Sequence, residues 1–445
     1  MVSRLASILF LAALTVAAAL GAHHFAVLEV HGDSPIEGTV AGVIAVVMFI
    51  FLLILASRYL LLLGLAAYSQ SQPSPQPWST HDDADAPFVS IIVPAFNEAP
   101  MIRNVLESLL AIDYPRCEVI VVDDGSSDHT FLKALPYQQR RAEIEFRVLA
   151  KANGGKFDAL NHGIAQARGE IIVCIDGDSI VERDALRYLV SHFDDPNVGA
   201  VAGNVRVVNR ATIWSGLQAL EYVVGLGLAK RAQSAAAAVT IVPGPLGAFR
   251  KSALADVNGY DGDTFAEDFD LTMKLLGAGW HIMYEPRAAV LTEAPERTLD
   301  LLRQRYRWTR GSLQVLAKRK AGFLALREKP VECLGLWYLG FEALGLPALH
   351  VGAQLVFIVG GFVLGLHELL LYWWLQLLFL DCATALYCVC VEEEEARLSL
   401  LAPLFRIFYL VVLDVARLFA AFDELAHVRM SWDKLARLGR LAPAT

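Results

Sequence analysis

The sequence predicts an α/β domain with a Rossmann-like, mainly parallel sheet, flanked on both sides by transmembrane α-helices. Short apolar runs alternate with helical patterns between residues 88 and 320, which is typical of parallel strands joined by crossover helices. Apolar stretches long enough to cross a bilayer lie before and after this block. The composition agrees, because 55% of the residues are hydrophobic and the mean hydropathy is +0.44.

Two apolar runs precede the α/β block, at residues 5–20 and 40–65. The loop between them contains acidic residues but no Lys or Arg, so the positive-inside rule places it outside the cytosol. We therefore expect two transmembrane helices and a short external loop in residues 1–65. Small residues near Ala22 would also suit removal of the first run as a signal peptide. Residues 66–87, rich in Ser, Gln and Pro, are interpreted as a linker.

Residues 88–320 contain five short apolar runs that we interpret as buried strands. They are Val89–Pro94, Val119–Asp123, Ile144–Leu149, Ile171–Ile175 and Val198–Val201. Helical patterns between them include Met101–Ile112 and Phe157–Ala167. In sheets of this kind, ligands bind beyond the carboxyl ends of the strands. Polar residues at those ends are therefore the candidate site.

The chain becomes apolar again after residue 320, and residues 331–422 are predicted to hold two or three transmembrane helices. The candidate spans are Leu334–Leu366, Leu369–Val391 and Leu400–Phe422. The last one carries Arg406, Asp414 and Arg417, which helical spacing brings into one quadrant. Such charges indicate either a span facing a polar interior or a helix lying flat on the membrane. The tail, 423–445, is basic and favours the cytosolic side.

The charge and cysteine content exclude two classes of function. A net charge of -9 argues against nucleic-acid binding, which usually requires a basic surface. The six cysteines form no CxxC pair and no Cys/His cluster with zinc spacing, so we interpret them as reduced residues that fill space. A local basic collar at 303–319 precedes the third candidate span, which indicates contact with anionic lipid on the cytosolic side.

Carboxylates and glycines follow two of the predicted strands. Asp123 and Asp124 end an apolar strand, where a carboxylate can accept the imide N–H of a uracil ring; a turn with a helix N-cap is the alternative. Gly154-Gly155-Lys156 opens the next helix, where glycines, a helix N-terminus and a lysine suit a phosphate, or else form a simple turn.

Two further acidic clusters and an aromatic-basic motif complete the pattern. Asp176-Gly177-Asp178 follows a buried strand and offers two carboxylates to a hard cation such as Mg²⁺ or Mn²⁺. Glu267 and Asp268 begin a helix, where a carboxylate can act as a general base or complement the helix dipole. One helix face of the last motif suits a diphosphate and a sugar ring; it consists of Gln304, Arg307 and Trp308.

These five elements, in this order, resemble the processive branch of glycosyltransferase family 2, which includes poly-N-acetylglucosamine, chitin, hyaluronan and cellulose synthases. The resemblance covers about residues 89–311. Ala-Glu-Asp at 266–268 differs from the corresponding forms in hyaluronan and cellulose synthases. The run Tyr284–Ala288 and the two N-terminal spans look most similar to bacterial poly-β-1,6-N-acetylglucosamine synthases, which make biofilm exopolysaccharide. The resemblance implies a GT-A-like fold and a hexosyltransferase that is multi-pass in the inner (plasma) membrane, with its catalytic domain in the cytosol.

The resemblance also implies a role for each motif. Asp123 or Asp124 contacts uridine, Lys156 approaches the nucleotide or its diphosphate, and Asp176 and Asp178 serve the nucleotide and the metal. Asp268 is the catalytic base. Gln304, Arg307 and Trp308 line the diphosphate and the acceptor entrance. The acceptor side further includes three residues, Gly244, Phe249 and Glu267.

The implied reaction is an inverting transfer of a hexose, in particular N-acetylglucosamine, from a UDP-sugar to a growing β-linked glycan. The implied partners are the UDP-sugar, the glycan acceptor, the lipid bilayer and an accessory membrane or export subunit, with no nucleic acid. The alternative is a non-processive transferase that moves one sugar to a lipid carrier. A catalytically silent membrane subunit is disfavoured, because every acidic motif is intact.

Overall fold

The computed structural model describes residues 35–78, 85–139, 144–364 and 367–429. The predicted first apolar span, 5–20, and most of the basic tail lie outside the described residues. The described part of the domain is built on one eight-stranded sheet. The strands are β1 Val89–Ala95, β2 Cys117–Asp123, β3 Glu145–Ala150, β4 Ile171–Cys174, β5 Ile180–Val181, β6 Val198–Val207, β7 Gly247–Arg250 and β8 His281–Thr292.

The sheet is mixed rather than purely parallel. Its strand order is β3-β2-β1-β4-β7-β6-β8-β5. Strands β3, β2, β1 and β4 are parallel neighbours, and β6 and β8 form a second parallel pair. Strand β7 lies between the two groups and is antiparallel to both β4 and β6. The carboxyl ends of β1–β4, β6 and β8 therefore share one edge of the sheet.

Helices cover both faces of the sheet and continue into the apolar regions. They are α1 Pro35–Ser71, α2 Ile102–Leu110, α3 Thr130–Ala134, α4 Lys156–Gln166, α5 Ala185–Val190, α6 Ile213–Glu221, α7 Leu228–Ser234, α8 Lys251–Asp256, α9 Glu267–Gly277, α10 Thr298–Lys318, α11 Pro330–Gly340, α12 Leu346–Leu364, α13 His367–Val391, α14 Ala402–Leu404 and α15 Leu410–Leu425. π-helical turns join α6 to α7, α11 to α12, and α14 to α15.

All five predicted strands form. Strands β1, β2 and β4 are runs rich in Val and Ile that are buried on both faces, as expected inside a sheet covered by helices, whereas the side chains of β3 alternate between buried and more exposed positions. Strand β6 extends to Val207, six residues beyond its prediction. This extension contains Gly203 and Asn204, where the register with β8 shifts in an irregularity. Strands β5, β7 and β8 were not predicted.

Four helical stretches among the described residues are long and apolar enough to cross a membrane. They are Gly42–Ser71, Pro330–Gly360, Leu370–Val391 and Ala396–Leu425. Two of the predicted charges of the last stretch face the protein interior, since Arg406 is 4% exposed and Asp414 is 1% exposed, whereas Arg417 is partly exposed. Arg406 pairs with Asp381 of α13, and the Oδ2 atom of Asp414 accepts a hydrogen bond from Nδ1 of His350 at 2.7 Å.

The apolar helices pack directly on the domain. A cluster of buried side chains joins the end of α1 to α7 and to α13, with Leu63, Leu228 and Cys388 among its members. The cluster continues into the π-helical turn before α15 through Tyr409. The domain and the apolar helices therefore share a hydrophobic core on this side.

Candidate active site

Asp123 stands at the end of β2 with one carboxylate oxygen unused. Its register partner is Ala95, the last residue of β1, so it lies at the carboxyl edge of the sheet. The Oδ2 atom accepts a hydrogen bond from the backbone N–H of Ser126 at 3.2 Å. The Oδ1 atom is buried and has no hydrogen-bond partner within the described residues. A buried acceptor without a donor is costly, which indicates a ligand N–H at this point.

Asp124 has a different set of contacts, and all of them are internal. Its carboxylate accepts hydrogen bonds from the backbone N–H groups of Gly154 at 3.0 Å and Gly155 at 2.8 Å. It also pairs with the Lys151 ammonium at 2.6 Å. Of the two residues that the sequence proposed for uridine, Asp124 therefore holds the Gly154-Gly155 turn, and Asp123 is the one with a free acceptor atom.

Lys156 links the start of α4 to the end of β4. Its Nζ lies 2.6 Å from Oδ1 of Asp176 and 3.4 Å from Oε1 of Glu267. Burial lowers the pKa of Lys156, but the surrounding carboxylates outweigh this and raise the pKa above its ordinary value. Three motifs that lie far apart in the sequence thus meet at one ammonium group.

The loop before β7 reaches the same point through Gly244. A Cβ atom on Gly244 would lie 2.5 Å from the Lys156 Nζ and 3.2 Å from Oδ2 of Asp176. The loop backbone therefore packs against this ion pair, and the residue must be small. Phe249, the other predicted residue of this segment, lies within β7, is 2% exposed and packs edge-on against Tyr260. The structure places Phe249 in the core and Gly244 at the site.

Asp176 and Asp178 fit a divalent cation by the chemistry of their donor atoms. Burial raises the pKa of Asp176, repulsion by Asp178 adds to the rise, and Lys156 opposes it. The Lys156 ammonium contacts the Oδ1 atom of Asp176 at 2.6 Å. Gly177 brings this turn against the backbone of β1, since a Cβ there would lie 2.9 Å from the Pro94 carbonyl oxygen. Carboxylate oxygens are the ligands that Mg²⁺ and Mn²⁺ prefer.

A second acidic cluster, formed by Asp261, Asp263 and Asp270, has carboxylates close enough to share a cation. Lys318 already occupies its centre, with its Nζ 2.7 to 2.8 Å from an oxygen of each residue. Lys274 also pairs with Asp261 and Arg319 with Asp270, so three cations balance the three carboxylates, and the cluster joins α9 to α10.

Asp268 lies in the first turn of α9, one residue after Glu267. Its Oδ1 accepts a hydrogen bond from the backbone N–H of Phe269 at 2.8 Å. Burial and the neighbouring Glu267 raise the pKa of Asp268 to about 6, and Lys156 opposes the shift. Asp176 also contributes to the rise, which places Asp268 within electrostatic reach of the Lys156 cluster. A carboxylate with this pKa can take up a proton near neutral pH.

Helix α10 carries the last motif, and a residue that the sequence analysis missed holds it in place. Arg305 is 2% exposed, donates a hydrogen bond to Oε1 of Gln304 at 2.5 Å, and pairs with Glu221 at the end of α6. Its guanidinium carbon lies 4.2 Å from the ring centroid of Trp308, which is 36% exposed. Arg305 therefore orients Gln304 and Trp308, whereas Arg307 lies two positions further along the helix and is half-buried. No local signal marks this role, because Arg305 stands among other basic and polar residues and its partner Glu221 is 84 residues away.

Comparisons with known proteins show the family and the fold of the domain. The profile of a family described as "Glycosyltransferase like family 2" matches residues 86–311. Among solved structures, the chain is similar to the mannosyltransferase PcManGT from Pyrobaculum calidifontis, whose structure contains GDP-Man and Mn²⁺. The TM-score is 0.63 with 24% sequence identity, over 86% of this chain and all of that one. The GT-A-like fold that the resemblance implied is therefore confirmed.

Among curated proteins, the chain is similar to two poly-β-1,6-N-acetyl-D-glucosamine synthases, from Staphylococcus epidermidis and from Staphylococcus aureus strain COL. Each is 37% identical over 231 residues, or 52% of this chain and 56% of the relative. The match thus spans little more than half the length of these relatives. The family profile covers half of the chain and includes all five motifs. The chain therefore belongs to the family described as glycosyltransferase-like family 2, and its α/β domain is a glycosyltransferase domain.

Proposed function

We propose that the protein is an inverting glycosyltransferase that transfers N-acetylglucosamine from UDP-N-acetylglucosamine to the end of a growing β-linked polysaccharide, in the membrane and coupled to export. One observation carries the proposal. The Lys156 ammonium lies between Asp176 and Glu267, next to Asp268, so the predicted nucleotide, metal and base residues share one place at the carboxyl edge of the sheet.

On the donor side, the unpaired Oδ1 atom of Asp123 supports a uracil ring as the base. The imide N–H of uracil is a donor, and few other nucleobase edges combine one donor with flanking carbonyl acceptors. The Gly154-Gly155 turn at the start of α4 supports the diphosphate, because the N-terminus of an eleven-residue helix favours negative charge. Lys156 adds its positive charge at the same point.

A divalent cation belongs to this proposal, held by Asp176 and Asp178. When bound, such a cation neutralises charge on the departing diphosphate. Asp268 then needs no partner acid: it takes the proton of the acceptor hydroxyl while that oxygen attacks the anomeric carbon from the side opposite the diphosphate. A single displacement of this kind inverts the anomer, so an α-linked donor gives a β-linkage.

The choice of polymer rests on the similarity to poly-β-1,6-N-acetyl-D-glucosamine synthases and on the exposed Trp308 of α10. A flat aromatic side chain offers a platform for a sugar ring. The four apolar helices support a membrane location, with the domain on the cytosolic side where UDP-sugars are made. Transfer of one sugar to a lipid carrier is the competing outcome.

The test supplies UDP-N-acetylglucosamine, UDP-glucose and UDP-glucuronate separately to purified protein in membranes, with Mg²⁺ or Mn²⁺. We expect long product only from UDP-N-acetylglucosamine and only with a cation, and we expect it to be cut by a β-1,6-specific hydrolase. The Asp268→Asn variant is the matched control for background product. A product that carries one sugar on lipid would establish the competing function, and turnover of another donor would overturn the sugar assignment.

A further inference from the structure

A buried ammonium group lies close to the proposed reaction centre, and the mechanism above does not use it. Lys230 in α7 is 8% exposed. Its Nζ lies 5.6 Å from the ring centroid of Tyr284 in β8, and it has no ion pair or hydrogen bond with any residue in the described ranges. The next residue, Arg231, is paired with Glu392 at 2.5 Å. Of these two neighbouring cations, Lys230 is therefore the one without an ion pair.

The sheet register brings Lys230 to the side of the sheet that carries the site. Tyr284 pairs with Ala202 in β6, Ala202 pairs with Gly247 in β7, and Gly247 pairs with Cys174 in β4. Tyr284 therefore lies in the same row as Cys174, two residues before Asp176. Both side chains belong to the core cluster that packs under α9, the helix that begins at Glu267 and Asp268.

The electrostatic surroundings of Lys230 agree with this position. Burial lowers the pKa of Lys230 to about 8, while Glu392 and Asp268 both act to raise it. The ammonium group is thus within electrostatic reach of the proposed base on one side and of the end of α13 on the other. It lies between the reaction centre and the apolar helices, where an acceptor chain would run.

A buried lysine without a partner is unusual, because lysines are rarely buried unless they are paired. The Tyr284 hydroxyl beside it is also buried and has no hydrogen-bond partner among the described residues. Two adjacent donors without acceptors indicate a ligand that supplies oxygen atoms. Sugar hydroxyl groups and the carbonyl of an acetamido group have this chemistry.

We propose that Lys230 binds the acceptor sugar through its hydroxyl or acetamido oxygens and thereby selects neutral, N-acetylated acceptors over acceptors that carry an ammonium group. This inference rests on the proposed function. A glucosamine residue lacks the acetamido carbonyl and carries a positive charge when protonated, so the Lys230 ammonium repels it. Like charges in a partly buried site are strongly disfavoured and provide selection by repulsion.

The experiment uses the full chain in detergent, with UDP-N-acetylglucosamine as donor and two acceptors: a β-1,6-linked N-acetylglucosamine oligomer and its de-N-acetylated form. For the wild type, we expect kcat/KM to favour the acetylated oligomer by about tenfold or more, the effect of about 1.4 kcal/mol.

In Lys230→Met, the KM for the acetylated oligomer should rise about tenfold, and the preference should shrink, while the KM for the donor stays unchanged. Lys230→Arg should keep the preference in part. Lys320→Met, an exposed lysine, is the charge-matched control.

A purely structural role gives a different result. If Lys230 only stabilised the fold through Tyr284, Lys230→Met would lower Tm and leave the acceptor KM and preference unchanged, which would overturn the proposal. An equal rise of donor and acceptor KM would also overturn it. If the wild type does not turn over UDP-N-acetylglucosamine, the proposed function fails by itself. In that case the equilibrium binding of the two oligomers tests the role of Lys230 in acceptor binding. Equal affinities of the wild type and Lys230→Met would overturn that role.

Discussion

Two adjacent aspartates at the end of β2 have separate roles, and their contacts define them. Asp124 is 2% exposed, and its carboxylate accepts three hydrogen bonds from the loop that begins α4. Asp123 is 5% exposed and keeps a buried acceptor atom for a ligand. The sequence identified both residues but left open which one faces the nucleotide, because the choice depends on contacts with residues about 30 positions later.

This difference predicts opposite outcomes for two neighbouring substitutions. Asp123→Ala should weaken UDP binding by about 10- to 100-fold, since a hydrogen bond to a charged group contributes about 1.5–3 kcal/mol. Its Tm should change little. Asp124→Ala should lower Tm as well, because the N–H groups of Gly154 and Gly155 lose their acceptor. Calorimetric titration with UDP and thermal unfolding measure the two effects. Equal loss of Tm in both variants would contradict the assignment.

The buried carboxylate of Asp268 predicts a pH dependence. Its pKa in the folded protein is about 6, above the ordinary value of 3.8. A base must be deprotonated to act, so turnover should fall as the pH decreases through about 6. The initial rate at saturating donor and acceptor, measured from pH 5 to 8, checks this. An unchanged rate down to pH 5 would exclude Asp268 as the base.

The same shift predicts that Asp268 destabilises the protein at neutral pH. Because its pKa is raised on folding, the protonated form is favoured in the folded state, and stability is lost as the pH rises from 3.8 to about 6. Asp268→Asn removes this charge, so its Tm should exceed that of the wild type at pH 8, and the difference should shrink below pH 6. Its turnover should fall by about 10²- to 10⁴-fold, the usual contribution of a general base. A lower Tm at pH 8 would contradict this explanation.

At the scale of elements, the parallel half of the sheet was predictable and the remainder was not. Strands β1, β2 and β4 are continuous Val/Ile runs, a pattern that follows from burial on both faces. Strand β7 is only four residues long and is antiparallel, and its sequence, Gly-Ala-Phe-Arg, has no strand periodicity. Its place in the sheet depends on tertiary pairing with β4 and β6, which local sequence does not encode.

Two glycines near the site test how closely the elements approach each other. A Cβ at Gly244 would meet the flexible end of Lys156, whereas a Cβ at Gly177 would meet the Pro94 carbonyl oxygen of β1 at 2.9 Å. Gly244→Ala should therefore displace Lys156 and weaken UDP binding severalfold with a small change in Tm. Gly177→Ala should lower Tm clearly, because backbone cannot move as a side chain can. UDP titration and thermal unfolding distinguish them, and unaltered UDP affinity in Gly244→Ala would refute the contact.

For the whole molecule, an acidic run at the end of α13 joins the apolar helices to the domain. Glu392 is 6% exposed and pairs with Arg231 of α7, and Glu394 pairs with Arg210 at 2.7 Å. The sequence showed the acidic run and the basic residues but not their pairing, since the partners are more than 160 positions apart. Pairing between distant elements is decided by packing, so only the structure reveals this connection.

The ion pair between Glu392 and Arg231 predicts that stability and activity depend on the same contact between α13 and α7. Glu392→Gln leaves Arg231 buried without its charge partner, which should cost on the order of 3 kcal/mol in the free energy of unfolding. Since α7 also carries Lys230, transfer to the acceptor should fall, while the UDP binding that we propose at Asp123 should persist. The double variant Glu392→Gln/Arg231→Gln should recover part of the Tm, because no uncompensated charge remains. Additive losses in the double variant would show that the pair does not interact, and the domain would then be held to the membrane helices by apolar contacts alone.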